Sequence, residues 1–151
     1  MAVNPSSRPQ VAFHFNAPDK LDYACRFIRK AMRHDARVTV VAPLERLRQL
    51  STRLWMLGAH EFLAYAVQGE DAQLMQLSPV VLVESAAHST HHDVLLHLGW
   101  DVPEGFESFS KVVEVVSSFD EQDRAQARER WRTYQRLGHA IERHDLVLNG
   151  G

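Results

Sequence analysis

Four arginines recur every fourth residue near the end of the chain, at Arg124, Arg128, Arg132 and Arg136. At about 100° per residue on an α-helix they form one stripe, and Trp131 falls between this stripe and an apolar face. That face contains Ala127, Tyr134, Leu137 and Ile141. Guanidinium groups bind carboxylates in a bidentate manner and an indole offers apolar surface, so the pattern favours an acidic, aromatic ligand. The alternative is a solvated charged face, with Arg128 stacked on a partly buried Trp131, and periodicity does not decide between the two.

A second group of residues that could carry chemistry is a cluster of imidazoles with one carboxylate, which are side-chain types that bind zinc. It contains His88, His91, His92, Asp93 and His97. His91 and His92 are adjacent, and neighbouring side chains in a strand point to opposite faces. We therefore expect a solvated loop leading into a strand, with no metal and no cofactor.

Enzyme signatures are missing. The seven glycines, at positions 58, 69, 99, 105, 138, 150 and 151, form neither G-x-G-x-x-G nor a P-loop, and there is no G-x-S-x-G. His60 and Glu61 do not form a zincin motif, because residue 64 is alanine. The single cysteine, Cys25, excludes an internal disulfide and a zinc site built from several cysteines. These features disfavour nucleotide-dependent and hydrolytic enzymes.

The composition fits one soluble domain. The chain has 151 residues, of which 45% are hydrophobic and 24% charged. It contains no apolar segment long enough to span a membrane and begins without a secretory h-region, so we expect a cytoplasmic protein. Residues 1–53 carry ten basic and four acidic side chains, residues 54–123 one and twelve, and residues 124–151 six and three. The acidic middle third disfavours a protein that coats DNA.

The elements that must position these residues alternate between strand and helix. In the first half we predict strands at 11–16 and 37–42, and helices at 18–34 and 43–57, the second with its apolar side chains facing inward. Those side chains are Leu44, Leu47, Leu50, Leu54 and Trp55. Successive β-α units imply a parallel sheet with right-handed crossovers.

In the second half we predict a short extended piece at 62–65, a polar loop around Gly69, and strands at 80–84, 93–98 and 111–116. A final helix, from about 119 to 137, is predicted to begin with a capping box of Ser118 and Glu121 and to stop at Gly138. Whether strand 93–98 joins the sheet antiparallel stays open.

Several segments together resemble the chi subunit of bacterial DNA polymerase III holoenzyme. They are ARERWRTYQRLG after the strand KVVEVV, the opening VAFHF, the stretch ACRFIRKAMRHDARVTVV, the segment LWMLGAHEFLAY and the strand DVLLHLG. The resemblance covers about residues 11–146. It implies a single-domain, Rossmann-like α/β/α sandwich with a mostly parallel sheet, flanked by a flexible tail at 1–10 and a C-terminal tail at 147–151.

The resemblance also implies a function. Chi-family proteins are accessory replication proteins that lack catalytic activity, pair with the psi subunit of the clamp loader and bind the acidic C-terminal tail of single-stranded-DNA-binding protein. That tail ends in Pro-Phe after several aspartates. By matching position, Arg128 would clamp the terminal carboxylate, Trp131 would wall the phenylalanine pocket, and Arg124 and Arg132 would attract the aspartates. DNA would then be contacted only indirectly.

The segment LWMLGAHEF lies on the psi-facing side of the family, which maps the aromatic pair of that surface to Trp55 and Phe62. By pattern alone, either could instead be plain core. Two further functions stay open from the residues: a small α/β module that binds nucleic acid directly, and a small α/β enzyme that uses the histidine cluster.

Overall fold

The computed structural model describes residues 9–57 and 64–147, which contain seven strands and four α-helices. In chain order they are β1 (Gln10–Ala17), α1 (Lys20–Arg33), β2 (Val38–Val41), α2 (Leu44–Leu57), β3 (Tyr65–Val67), α3 (Ala72–Leu77), β4 (Val80–Val83), β5 (Val94–His97), β6 (Lys111–Ser117), α4 (Glu121–Arg136) and β7 (Ile141–Asp145). The strands form one sheet in the order β3-β4-β2-β5-β6-β1-β7.

Every strand pair in the sheet is parallel, and the helices cover both of its faces. Side chains of α1 and α2 pack in the core on one face, and those of α3 and α4 pack in the core on the other. The predicted Rossmann-like three-layer fold is confirmed, and the sheet is wholly rather than mostly parallel. β5 lies inside the sheet between β2 and β6 and pairs in parallel with both. The strand predicted at 93–98 therefore does not join the sheet antiparallel.

The central strands are short, fully buried runs of mainly β-branched residues. β2 (VTVV) and β4 (VVLV) have no exposed side chain, as expected for strands covered on both faces. β7 (IERHD) is an edge strand without an apolar run, and its local sequence does not predict a strand. The prediction of a loop around Gly69 also missed α3, which begins where the Asp71 carboxylate accepts hydrogen bonds from the backbone N–H groups of Gln73 and Leu74.

The apolar face of α2 is narrower than predicted. Leu47, Leu50 and Leu54 are buried, whereas Leu44 is 37% exposed and Trp55 is 76% exposed. The helical turn explains the difference, because Leu44 and Trp55 lie about 60° and 80° away from Leu47, toward solvent. The inward orientation predicted for these two side chains is therefore wrong.

The predicted capping box of α4 is also wrong. The N-cap is Asp120, whose carboxylate accepts hydrogen bonds from the N–H groups of Gln122 and Asp123. Asp120 lies two residues nearer the helix than Ser118 and satisfies these donors, so Ser118 is not needed as the N-cap. Gly138, at φ +88°, ends the helix in the left-handed conformation that glycine adopts without strain, as predicted. Leu137, predicted to be core, lies in this last turn and is 52% exposed.

Candidate functional site: a cationic cleft beside the last helix

A cleft of about 420 Å³ lies along one side of α4, above the open edge of the sheet. The helix contributes Arg124, Ala127, Arg128, Trp131, Arg132 and Gln135, and the strands contribute Phe13, Phe15, Val116 and Arg143. The structure thus brings together all four residues predicted for ligand binding, Arg124, Arg128, Trp131 and Arg132. The fourth member of the stripe, Arg136, does not line the cleft.

The arginines of the cleft differ in their existing partners. Arg124 contacts the Glu121 carboxylate at 3.4 Å and donates to the Ser118 carbonyl oxygen at 3.3 Å. Arg132 forms an ion pair with Glu129, which lies three residues earlier on the exposed surface of the helix. Arg128 is exposed and has no hydrogen-bond or ion-pair partner among residues 9–57 and 64–147. Its guanidinium is therefore the one on α4 that is most available to an incoming anion.

The floor of the cleft is aromatic. Trp131 is half-buried and packs edge-on against Phe13, with ring centroids 5.1 Å apart and an angle of 63° between the planes. Phe15 lies further along β1, and the Arg143 guanidinium sits 5.6 Å from its ring centroid. No cation–π contact between Arg128 and Trp131 occurs in the described part of the chain, so the stacked alternative considered for this pair is absent. An aromatic group could thus pack on this floor, with cations on both walls of the cleft.

Sequence reasoning missed the strand side of this cleft. Phe13 and Phe15 alternate along VAFHF, which predicts that they share a face, but their position beside α4 depends on the sheet order. Arg143 reaches the cleft because β7 pairs with β1, where it lies opposite Phe13 in the register. These residues are 130 positions apart, and no local pattern links them.

A buried polar network lies beneath the same helix. Glu114 on β6 is fully buried, and its Oε1 accepts hydrogen bonds from His97 Nδ1 at 2.8 Å and Arg130 Nε at 2.9 Å. The Tyr134 hydroxyl donates to Oε2 of the same carboxylate at 2.7 Å, and Arg130 Nη1 donates to the Trp100 carbonyl oxygen at 2.8 Å. Arg130 is therefore a structural arginine, although it shares a helix with the exposed ones.

The network fixes the protonation of its members. Burial alone would raise the pKa of Glu114, but the charges of His97 and Arg130, with hydrogen bonds from His97 and Tyr134, lower it to about 2. A carboxylate only accepts hydrogen bonds, so the proton lies on His97 Nδ1. Burial, followed by the charge of Glu114, raises the pKa of Tyr134 and keeps its hydroxyl as a donor. The signal that could have revealed this network is a glutamate inside the apolar strand KVVEVV.

The histidine cluster is not brought together as one site. His97 belongs to the buried network, His91 is buried, and the exposed His92 packs on Phe109 with ring centroids 5.0 Å apart. Among the described residues there is no group of three or more His, Cys, Asp or Glu side chains that could hold a metal ion. The enzyme hypothesis built on this cluster therefore lacks a ligand set in this part of the chain.

Of the aromatic pair predicted for a psi-facing surface, one residue, Trp55, lies in the described part of the chain. Trp55 lies in the last turn of α2 and is 76% exposed, so it is not the core residue that its position in the sequence also allowed. Phe62 lies outside the described residues. Met56, next to Trp55, is 67% exposed and extends the apolar surface at this end of the helix.

The fold and the cleft together define a Rossmann-like α/β protein that carries a cationic, aromatic-lined cleft beside its last helix. In a comparison with known families, the model for the DNA polymerase III chi subunit, HolC, matches residues 9–142. The match covers most of the chain, which therefore belongs to this family of accessory replication subunits, and the resemblance seen in the sequence is confirmed. A search of curated proteins finds no match. None of the described helices has the length and apolarity needed to cross a membrane.

Proposed function

We propose that this chain is a non-catalytic subunit that binds the acidic C-terminal tail of single-stranded-DNA-binding protein and, through psi, links it to the clamp loader in the cytoplasm. The observation that carries this proposal is the cleft itself. It combines Arg128, which has no ion-pair partner among the described residues, with aromatic rings on two elements and with further arginines on both walls. An acidic peptide that ends in an aromatic residue has complementary groups in the same compact arrangement.

The chemistry of the tail matches particular side chains. Its terminal phenylalanine ring would pack on the apolar surface that Trp131 and the phenylalanines of β1 form, and its terminal carboxylate suits a bidentate contact with Arg128. The aspartates that precede these groups would face Arg124, Arg132 and Arg143 at the rim. These rim contacts are exposed to solvent, so salt should weaken them more than the carboxylate contact.

The expected affinity of one tail is moderate. The cleft is open, and each exposed ion pair contributes only about 0–1 kcal/mol. Single-stranded-DNA-binding protein presents several tails on one assembly, so simultaneous engagement would raise the effective strength without any new contact. Such an arrangement suits an adaptor that keeps a polymerase near its template and still releases it.

The test is titration of a fluorescent peptide ending in Asp-Asp-Asp-Ile-Pro-Phe into the wild-type protein and into Arg128→Ala. The same peptide with an amidated C-terminus tests the need for the carboxylate. Arg136→Ala is the matched control, because Arg136 lies on the same helix, is exposed and does not line the cleft. We expect binding that requires both Arg128 and the free carboxylate and is unchanged in Arg136→Ala. A folded wild-type protein that fails to bind the peptide would remove the tail-binding function.

The psi-binding part of the proposal rests on a different surface. Trp55 and Met56 are exposed apolar side chains at the end of α2, and large exposed aromatic side chains are frequent anchors at protein interfaces. Phe62 is included because of its place in the family pattern. The two surfaces lie on opposite faces of the sheet, since α2 covers one face and α4 the other.

Co-purification with a psi protein tests this surface, with Trp55→Ala and Phe62→Ala as variants. Leu77→Ala is the control, since Leu77 on α3 is similarly exposed at 73%. We expect both aromatic variants to lose psi and to keep tail binding, because the cleft is unchanged. Retention of psi by both variants would place its binding surface elsewhere.

A direct DNA-binding function has less support, because the acidic middle third of the chain repels phosphates. Titration with a single-stranded oligonucleotide provides the comparison. Direct binding would have a steep salt dependence in the absence of any partner.

A further inference from the structure

Two of the four arginines that line the cleft already face a carboxylate of their own helix. Arg124 contacts Glu121 at 3.4 Å, and Arg132 forms an ion pair with Glu129. In both pairs the glutamate lies three residues before the arginine, a spacing that brings two side chains together on a helix surface. Arg128, between them, has an alanine at that spacing, so the helix sequence leaves the middle guanidinium open.

These two ion pairs belong to the surface and not to the core. The side chains of Glu121 and Glu129 are 77% and 71% exposed, and an ion pair in such a position contributes little to stability. Their larger effect is on what approaches the cleft. The four arginines of the lining and the two paired carboxylates together carry a net charge of only +2.

The anions that an arginine stripe attracts differ in how they carry their charge. Nucleic acid has a phosphate on every nucleotide, and its affinity for a protein rises with the number of phosphates that cations neutralise. A peptide that ends in a free carboxylate has one fixed group, which a single guanidinium binds in a bidentate manner. Occupying Arg124 and Arg132 while leaving Arg128 open therefore weakens the binding of nucleic acid more than that of the peptide.

We propose that Glu121 and Glu129 are specificity-determining residues that keep nucleic acid off the arginine stripe and leave Arg128 to select a terminal carboxylate. A polyanion along the helix must displace both glutamates from their arginines and then lie beside them, where like charges repel. The selection of the tail rests on the proposed function, whereas the exclusion of nucleic acid concerns this protein alone.

The test is titration of a fluorescent oligothymidylate into the wild-type full chain and into the double variant Glu121→Gln with Glu129→Gln. We expect weak binding by the wild type and binding about five- to twentyfold tighter by the double variant at low salt, as for two freed exposed arginines. The plot of log affinity against log salt should be steeper by about 1.4, the value for two further phosphate contacts on a single strand.

Glu45→Gln with Glu104→Gln is the matched control. Both side chains are exposed, neither lines the cleft, and the net charge of the protein changes by the same amount. Adding Arg124→Ala and Arg132→Ala to the test variant should abolish its gain, because these arginines are the ones that the substitutions free. An equal gain in the control, or wild-type binding as tight as that of the test variant, would overturn the proposal.

The acidic tail peptide is titrated into the same samples. We expect its affinity for Glu121→Gln with Glu129→Gln to rise only about two- to threefold, because its contacts with Arg128 and the aromatic floor do not change. A gain as large as that of the oligothymidylate would show that the glutamates weaken all anions alike, which overturns their role in specificity. A wild-type protein that binds neither ligand would remove the tail-binding function, while the oligothymidylate titration of the variant still decides whether the glutamates exclude nucleic acid.

Discussion

Arg128 and Arg130 are two residues apart on α4, yet they differ in almost every physical respect. Arg128 is exposed and unpaired within the described residues, whereas Arg130 is 2% exposed and bonded to Glu114 and to the Trp100 carbonyl. A step of two residues turns a helix by about 200°, so one guanidinium faces solvent and the other faces the sheet. The difference teaches that arginine content alone says little about ligand binding, because a partner within the fold removes an arginine from that role.

The largest expected effect concerns stability at Arg130. Arg130→Met leaves the Glu114 carboxylate buried with fewer partners, and breaking a buried ion pair in this way costs about 3–5 kcal/mol. Urea unfolding measures the loss. Arg136→Met, on the exposed surface, should change stability by less than about 0.5 kcal/mol. The double variant Arg130→Met with Glu114→Gln should recover part of the loss, since a neutral side chain needs no counter-ion. Equal stability of the two single variants would contradict the structural role of Arg130.

The second prediction concerns acid. The pKa of Glu114 in the folded protein, about 2, lies below its ordinary 4.5, so its carboxylate stabilises the fold fully above pH 4.5. That stabilisation is lost as the pH falls from 4.5 toward 2 and amounts to about 3 kcal/mol at most. Unfolding free energies measured between pH 5 and pH 2 should therefore fall more steeply in the wild type than in Glu114→Gln. Parallel pH profiles would show that the surface carboxylates account for the whole effect.

The third prediction concerns the chemistry of Arg128. Arg128→Lys keeps the positive charge and loses the planar pair of donors, so we expect tail affinity to fall about three- to tenfold, less than in Arg128→Ala. Stability should be unchanged, since Arg128 is exposed and has no hydrogen-bond or ion-pair partner in the described part of the chain. Peptide titration and urea unfolding on the same samples separate the two effects. An Arg128→Lys variant that binds like the wild type would mean that charge alone is recognised.

The smallest expected effect is at Arg143, which faces the cleft from the strand side. Arg143→Gln should weaken tail binding about two- to threefold at low salt, as for one exposed ion pair, and the difference should disappear at high salt. Arg136→Gln is the control and should have no effect at either salt concentration. A salt-independent loss would instead indicate that Arg143 acts by holding the Phe15 ring in place.

The sequence predicts the parts of this molecule that depend on local periodicity. The 3.6-residue period placed Arg124, Arg128 and Trp131 along one side of α4, and the β-branched runs located the central strands. Features that depend on distant pairing were missed. Arg130 lies within the apolar arc of the helix, and its partners, Glu114 on β6 and the Trp100 carbonyl, are distant in the sequence. β7 has the composition of a surface loop and becomes a strand because β1 offers it a free edge.

The sheet order has a consequence for the protein as it is being synthesised. β1 is the first strand of the sheet to leave the ribosome, but its neighbours are β6 and β7, which are formed more than ninety residues later. Pairings between distant segments form late, so the edges of β1 stay unpaired until its partner strands have been translated. Phe13 and Arg143 meet only after β7 has been translated. A chain that has been translated only as far as α4 therefore has the arginine helix without the Arg143 wall of its cleft, and the full set of cationic groups is in place only after β7 has paired with β1.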